Sequence, residues 1–303
     1  MRVFVTGATG VVGRRVVPLL ATGGHEITCA VRSRAQHAAV AELGARPVEV
    51  DLFDRPRLTA ALVGHGAFIN LATHMPRSTW RAFLPGAWRE NDHIRRDAVP
   101  IMIAAARDAD VGRFVQESFA PIYEDAGDGW IAEDARLRPV RYNRTILDAE
   151  RAVHQFSEAG GVGIVLRFAS FYGPDSKQLG QMVSFVRRGW GPLPGPAESF
   201  VSCVSHDDAA TAVATALSLP AGVYNVADDE PLRHRDFVDA LARAVGAAPP
   251  RLFPAWLTQI GGSLASMYAR SQRISNMKLR QQGWAPRYPS ARDGLPVAIA
   301  ALA

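Results

Sequence analysis

The run Thr6-Gly7-Ala8-Thr9-Gly10-Val11-Val12-Gly13 constrains this chain more than any other stretch. It follows the apolar residues Val3-Phe4-Val5 and opens an amphipathic segment, Val11 to Leu20, so the expected order is strand, tight turn, helix. Glycines in such a turn let the backbone approach an anion, and the unpaired amides and positive dipole end of the following helix face it. A pyrophosphate suits that cradle. Glycine turns also arise for purely steric reasons, so context decides. Here a second apolar run, Glu26 to Val31, follows at the spacing of a strand-helix-strand unit, which favours a dinucleotide site.

Further core strands are expected at Pro47 to Val50, Ala67 to Leu71, Arg113 to Gln116, Gly163 to Arg167 and Val223 to Val226, with helical patterns between most of them. This alternation predicts an α/β chain with a doubly wound, mostly parallel sheet. Over 303 residues that are 48% hydrophobic, a large core is affordable. The loop Gly189 to Pro196 is too rich in Pro and Gly to be helical and precedes an extended run, Phe200 to Val204. Helical stretches such as Arg235 to Val245 then lead to a Pro-rich, aromatic tail.

A net charge of +5 would suit nucleic acid, but the basic residues, all Arg except Lys177 and Lys278, are scattered among acids and form no block. No nucleic-acid partner is expected. Cys29 and Cys203, each beside strand-like apolar residues, read as buried thiols rather than a disulfide or a metal site. No apolar stretch is long enough for a secretory signal or a membrane span, so a cytoplasmic chain is expected.

The motif order resembles the extended short-chain dehydrogenase/reductases, the NAD(P)-dependent epimerase/dehydratase-like family. The resemblance runs through the glycine turn, Val50-Asp51-Leu52, Asn70-Leu71-Ala72, Asn91, Arg113-Phe114-Val115, Tyr142 with Glu150, Leu166-Arg167, Tyr172-Gly173-Pro174, Val204 to Asp208 and Gly283-Trp284-Ala285-Pro286. It implies a cofactor-binding Rossmann domain over residues 1–173 and 201–228, and a smaller substrate domain over 174–200 and 229–303. It also places Thr6, Gly7, Thr9, Gly10, Val11, Val12 and Gly13 at the pyrophosphate, Asp51 and Leu52 at the adenine, and Ala72 and Thr73 on the ribose and phosphate side. Two of these have plainer readings: Asp51 as the cap of a helix beginning near Arg55, and Ala72 as packing under the sheet.

At the end of the second strand an acid would bind the adenine ribose of NAD. The sequence instead reads Val31-Arg32-Ser33-Arg34. Arg32, assisted by Ser33 or Arg34, could pair bidentately with a 2′-phosphate, so NADP is expected over NAD; the alternative is an exposed loop arginine.

The resemblance makes Tyr142 the proton-transfer residue, but the positions of the family's lysine and hydroxyl hold Ile146 and Phe119. A cation about 4 Å from a phenolate at an effective dielectric of about 20 is worth roughly 4 kcal/mol, or about three pKa units. Without it the tyrosine is a poor base for alcohol oxidation but can still donate during carbonyl reduction. Arg144, two residues along a helix, would point to another face. If the fifth strand continues to Phe119, Glu117 shares that residue's face and could serve as acid or base, or could form a local ion pair; Ser118 would face away.

Thr73 to Arg89, which contains His74 and Trp80, is long enough for a lid. His74, with no partner evident in the sequence, reads as a surface or helix-packing histidine rather than a functional one, and Arg187 and Arg188 as either substrate contacts or a solvated helix end. The expected activity is NADPH-dependent reduction of a carbonyl, or other processing, of a small organic substrate. Two alternatives stand: a noncatalytic NADP(H)-binding sensor or interaction protein, and a nonredox isomerase, cyclase or dehydratase. Oligomeric state is left open, a homodimer included.

Overall fold

The structure, a computed structural model, describes residues 1–75, 86–192, 194–254 and 262–302, apart from the side chains of residues 263 and 264. Seven strands, β1 (Arg2–Thr6), β2 (Glu26–Val31), β3 (Arg46–Glu49), β4 (Ala67–Asn70), β5 (Arg113–Phe119), β6 (Val162–Phe168) and β7 (Gly222–Val226), form one sheet. Their order is 3-2-1-4-5-6-7, every pairing is parallel, and the strand order reverses beside β1, where such sheets bind ligands. All seven expected strands are present, with ends moved by a few residues.

Side chains alternate across the sheet, as the two-residue repeat of a strand requires. Val3 and Val5 face one core with α1 (Gly13–Thr22) and α8 (His206–Thr215), through Val16, Val17, Leu20, Ala209 and Val213. Phe4, Phe68 and Phe114 face the other, with α3 (Arg55–Leu62), α5 (Val99–Asp108) and α6 (Ile146–Glu158). Burying each such side chain contributes about 1.5–3 kcal/mol. The fold is therefore a three-layer doubly wound Rossmann sheet, covered on both faces by helices.

A third apolar cluster joins α7 (Lys177–Arg187), α9 (His234–Ala244) and the closing helix Ala291–Ala300 through Leu179, Val183, Phe237, Leu241 and Leu295. The run Phe200 to Val204 is not one strand. Phe200–Val201 pairs antiparallel with Leu232–Arg233, while Cys203–Ser205 pairs parallel with Ser170–Tyr172. Both cysteines are free and buried, and burial pushes the Cys29 thiol up to about 12. Among the described residues, no helix is long and apolar enough to cross a membrane.

Candidate active site

The glycine turn is built by three close approaches, of which two serve packing and the third does not. Gly7 has φ +73°, and a Cβ there would lie 2.4 Å from the Leu71 carbonyl oxygen. A Cβ on Gly13 would lie 2.2 Å from the Gly7 oxygen. These two glycines let the start of α1 pack onto the ends of β1 and β4. Gly10 differs, because a Cβ there meets only the Gly7 oxygen, at 3.2 Å. Its open side, with the exposed Thr9 and the first turn of α1, forms a cradle that fits a dinucleotide's diphosphate. Val11 and Val12 enter the helix with side chains turned inward, Val12 being buried.

A buried polar chain fixes the floor of the cleft. Thr6 Oγ1 donates to Asn70 Oδ1 (2.5 Å), Asn70 Nδ2 to Gln116 Oε1 (2.8 Å), and Gln116 Nε2 to the Glu117 carbonyl (2.8 Å). The Ala72 amide also donates to Asn70 Oδ1, at 3.2 Å, so Ala72 is held by the end of β4 and is not fully buried. Thr73 is exposed beside it. Asp51 does not cap α3: its Oδ1 accepts from the Phe53 amide (3.0 Å), and the cap is Asp54, which accepts from Arg57. Asp51 is thus exposed just past β3, while Leu52 packs partly into the core.

Arg32, Ser33 and Arg34 are all exposed beyond β2. Arg32 Nη1 lies 3.5 Å from Glu90 Oε1, and His74 Nδ1 lies 3.0 Å from the same oxygen. Hence His74 does have a partner, the carboxylate it shares with Arg32. Trp80 lies outside the described residues, as does most of the stretch expected to form a lid. Arg187 and Arg188 are the exposed end of α7.

Tyr142 precedes α6 rather than lying within it: residues 141–145 form turns, and Arg144 is exposed among them. The Tyr142 ring sits 4.7 Å from that of Trp88, and its hydroxyl donates to Met267 Sδ. Burial among these groups, reinforced by Tyr268, pushes the phenol well above its ordinary range, against the opposing influence of Arg95 and Arg270. It stays protonated at neutral pH. Ile146, one turn on, is 1% exposed.

Strand β5 does continue to Phe119, and its alternation places Glu117 and Ser118 on opposite faces. Glu117 is no free carboxyl, however. Arg95, from the π-helical turn Ile94–Ala98, reaches Glu117 Oε1 at 3.1 Å through Nη2 and 3.4 Å through Nε. The two side chains are only 7% and 13% exposed. Ser118 instead donates to Glu150 Oε1 (2.6 Å) beneath the sheet. Arg95 escaped sequence reasoning because its partner lies 22 residues away and no local spacing marks the pair.

Met267, the partner of the Tyr142 hydroxyl, also lines a small cleft with Pro121, Phe200, Tyr268, Arg270 and Gln272. Arg270 donates to the carbonyls of Tyr123 (3.0 Å) and Arg138 (2.6 Å), and burial lowers its pKa.

Comparison with known proteins identifies the family and the fold. A 3-diazoavenalumate denitrifying reductase from Streptomyces sp. is 31% identical over 97% of this chain and 99% of its own length. A 4-hydroxy-2-methyl-3-oxo-4-farnesyl-3,4-dihydroquinoline-1-oxide ketoreductase from Stigmatella aurantiaca is 28% identical over 62% of this chain and 55% of its own. The fold matches that of the human epimerase family protein SDR39U1 (isoform 2), solved with NADPH, at a TM-score of 0.81, 20% identity and coverage of 99% and 98% of the two chains. The profile of the NAD dependent epimerase/dehydratase family matches residues 3–227, and the chain belongs to that family.

Proposed function

We propose that the chain is an NADP(H)-dependent reductase of a small organic substrate, with Tyr142 as proton donor. The observation that carries this reading is a phenol, held against Trp88 and Met267, that its surroundings keep protonated: a group suited to giving a proton and unsuited to taking one. Full-length similarity to a reductase supports it.

In this reading residues 1–173 and 201–228 hold the cofactor, and 174–200 and 229–303 the substrate. Thr6, Gly7, Thr9, Gly10, Val11, Val12 and Gly13 cradle the diphosphate, Asp51 and Leu52 flank the adenine, and Ala72 and Thr73 line the ribose side. Arg32, with Ser33, receives the 2′-phosphate, for which its exposed guanidinium has only a loose partner in Glu90. Glu117 acts by clamping Arg95 and not as an acid.

The bound nicotinamide supplies a hydride, and two acceptor classes make different demands on the protein. A ketone becomes an alkoxide, which Tyr142 protonates. An arenediazonium, the class suggested by the name of the Streptomyces relative, takes the hydride and gives arene and dinitrogen without a proton from the protein. Purified protein with NADPH, a ketone panel and an arenediazonium separates them. Tyr142→Phe should abolish ketone reduction and spare diazonium reduction; unchanged ketone turnover rejects the donor role. A noncatalytic NADP(H)-binding protein is the second reading, favoured by the engagement of the Tyr142 hydroxyl with Met267. It predicts cofactor binding by calorimetry with no substrate-dependent loss of NADPH absorbance in stopped flow.

A further inference from the structure

We infer that Arg270 anchors the substrate: the Nε–Nη2 edge of its guanidinium receives a carboxylate, so the small organic molecule that enters the cleft is an acid. The inference deepens the reading of Tyr142 as proton donor and rests on it.

Arg270 follows the helix Gly262–Tyr268, and its amide donates to the Met267 carbonyl at 3.2 Å. It therefore stands one turn beyond the residue whose Sδ accepts from the Tyr142 hydroxyl. Side chains three apart on such a turn are neighbours, with β carbons about 5–6 Å apart. Both of these side chains line the same cleft. The two ends of one small molecule can thus address Arg270 and Tyr142.

What fixes the guanidinium also decides which edge it offers. Its Nη1 donates to the carbonyls of Tyr123 (3.0 Å) and Arg138 (2.6 Å). Nε and Nη2 have no hydrogen-bond partner among the described residues, and neither is sealed away from cleft and solvent. These two nitrogens form the parallel fork that matches the two oxygens of a carboxylate.

The charge also lacks a counter-ion. Among the described residues no carboxylate forms an ion pair with Arg270. Burial and the neighbouring Arg138 work against its charge, and the two acids that favour it, Asp125 and Glu124, are committed elsewhere. Asp125 accepts from the amides of Gly127 (2.9 Å) and Ser271 (3.0 Å), and Glu124 lies 3.5 Å from Arg136 and 3.6 Å from Arg138. A partly buried cation without an anion is costly to keep, and an incoming carboxylate relieves that cost. The rest of the lining includes Pro121, Phe200, Tyr268 and Ile274, with no second arginine or lysine. One carboxylate on an apolar or aromatic body suits it, whereas a diphosphate finds too few cations.

Calorimetry with para-acetylbenzoate and its uncharged counterpart para-acetylbenzamide tests the assignment, with NADP+ present so that nothing turns over. The parent protein should bind the acid at least about tenfold more tightly than the benzamide, and added salt should shrink the difference. Arg270→Gln should weaken the acid by about 10- to 100-fold and leave the benzamide within about twofold. Arg270→Lys, which keeps the charge and loses the fork, should fall between. An arginine that only staples Tyr123 to Arg138 would lower both ligands together. Equal affinities of acid and benzamide in the parent, binding of neither, or equal losses of the two in Arg270→Gln overturn the inference. The parent's own preference is read without any variant, so a variant that fails to fold does not decide the matter. The preference should persist in Tyr142→Phe, so failure of the proton-donor reading, seen as unchanged ketone turnover in that variant, is distinguishable from failure of this one.

Discussion

Arg167 and Glu150 meet as a two-pronged pair beneath the sheet, Nε to Oε1 at 2.9 Å and Nη2 to Oε2 at 2.6 Å. Their side chains are 5% and 10% exposed, and Ser118 donates to the same carboxylate. Arg167 Nη1 continues to the hydroxyl of Tyr123, which donates to Asn225. The network locks α6 against the ends of β5, β6 and β7, and so fixes the turn that carries Tyr142.

Removing one partner of this pair should therefore be costly. Glu150→Ala leaves a buried guanidinium uncompensated and is expected to destabilise the fold by about 3–5 kcal/mol. The double variant Glu150→Leu with Arg167→Met should recover most of that. Urea unfolding of the three proteins checks both statements; a single variant within about 1 kcal/mol of the parent contradicts them.

Gly10 and Gly13 should respond oppositely to alanine. At Gly13 the new Cβ would press on the Gly7 oxygen at 2.2 Å and on Ala8 Cα at 2.7 Å, both backbone, so about 3 kcal/mol or more of stability is expected to be lost. Gly10→Ala meets one atom at 3.2 Å, so its stability should stay within about 1 kcal/mol. In the proposed reading its methyl group projects toward the nucleotide, and affinity should fall at least about tenfold, or 1.4 kcal/mol. Thermal melts and calorimetry with NADPH separate the two effects.

The parallel core was legible because its central strands carry apolar runs bounded by turn residues. Ala67–Asn70 is wholly buried, and Val162–Phe168 nearly so. The glycine turn was legible for a similar reason, since its chemistry lies within eight consecutive residues. Contacts between distant segments left no such mark. Arg95 and Glu117 are 22 residues apart, and Thr6 and Asn70 are 64 apart, so neither pairing has a local period to reveal it. The start of α6 was misjudged because Tyr142 to Thr145 carries no strong breaker, although the chain there turns before the helix begins at Ile146.

Arg32 carries the expectation of NADP over NAD. Arg32→Glu should weaken NADPH binding by about 10- to 100-fold, the loss of a charge-assisted contact, while NADH affinity changes little. Glu90→Gln acts in the other direction. It releases Arg32 from a carboxylate 3.5 Å away and should tighten NADPH modestly, because the pair is 77% and 49% exposed and already screened. Titrations with both nucleotides decide; equal losses for NADPH and NADH in Arg32→Glu place the arginine away from the 2′-phosphate.

His206 gives the fold an acid limit of its own. It is 2% exposed, its Nδ1 has no hydrogen-bond partner among the described residues, and burial, with Arg15 nearby, lowers its pKa to about 4 from an ordinary 6.5. Between these values the unfolded chain binds a proton that the folded chain refuses, so stability rises with pH across that window. The contribution is complete above pH 6.5, falls as pH drops through 6.5, and levels off below about 4. The full change is about 3 kcal/mol. Paired carboxylates such as Asp175, whose pKa is held down by Arg15, add their own losses at lower pH, so the comparison must be with a variant that lacks only the imidazole. Urea midpoints of the parent and His206→Gln, measured from pH 4 to 7, should diverge in slope, the variant being flatter. Parallel slopes show that His206 takes up its proton without unfolding.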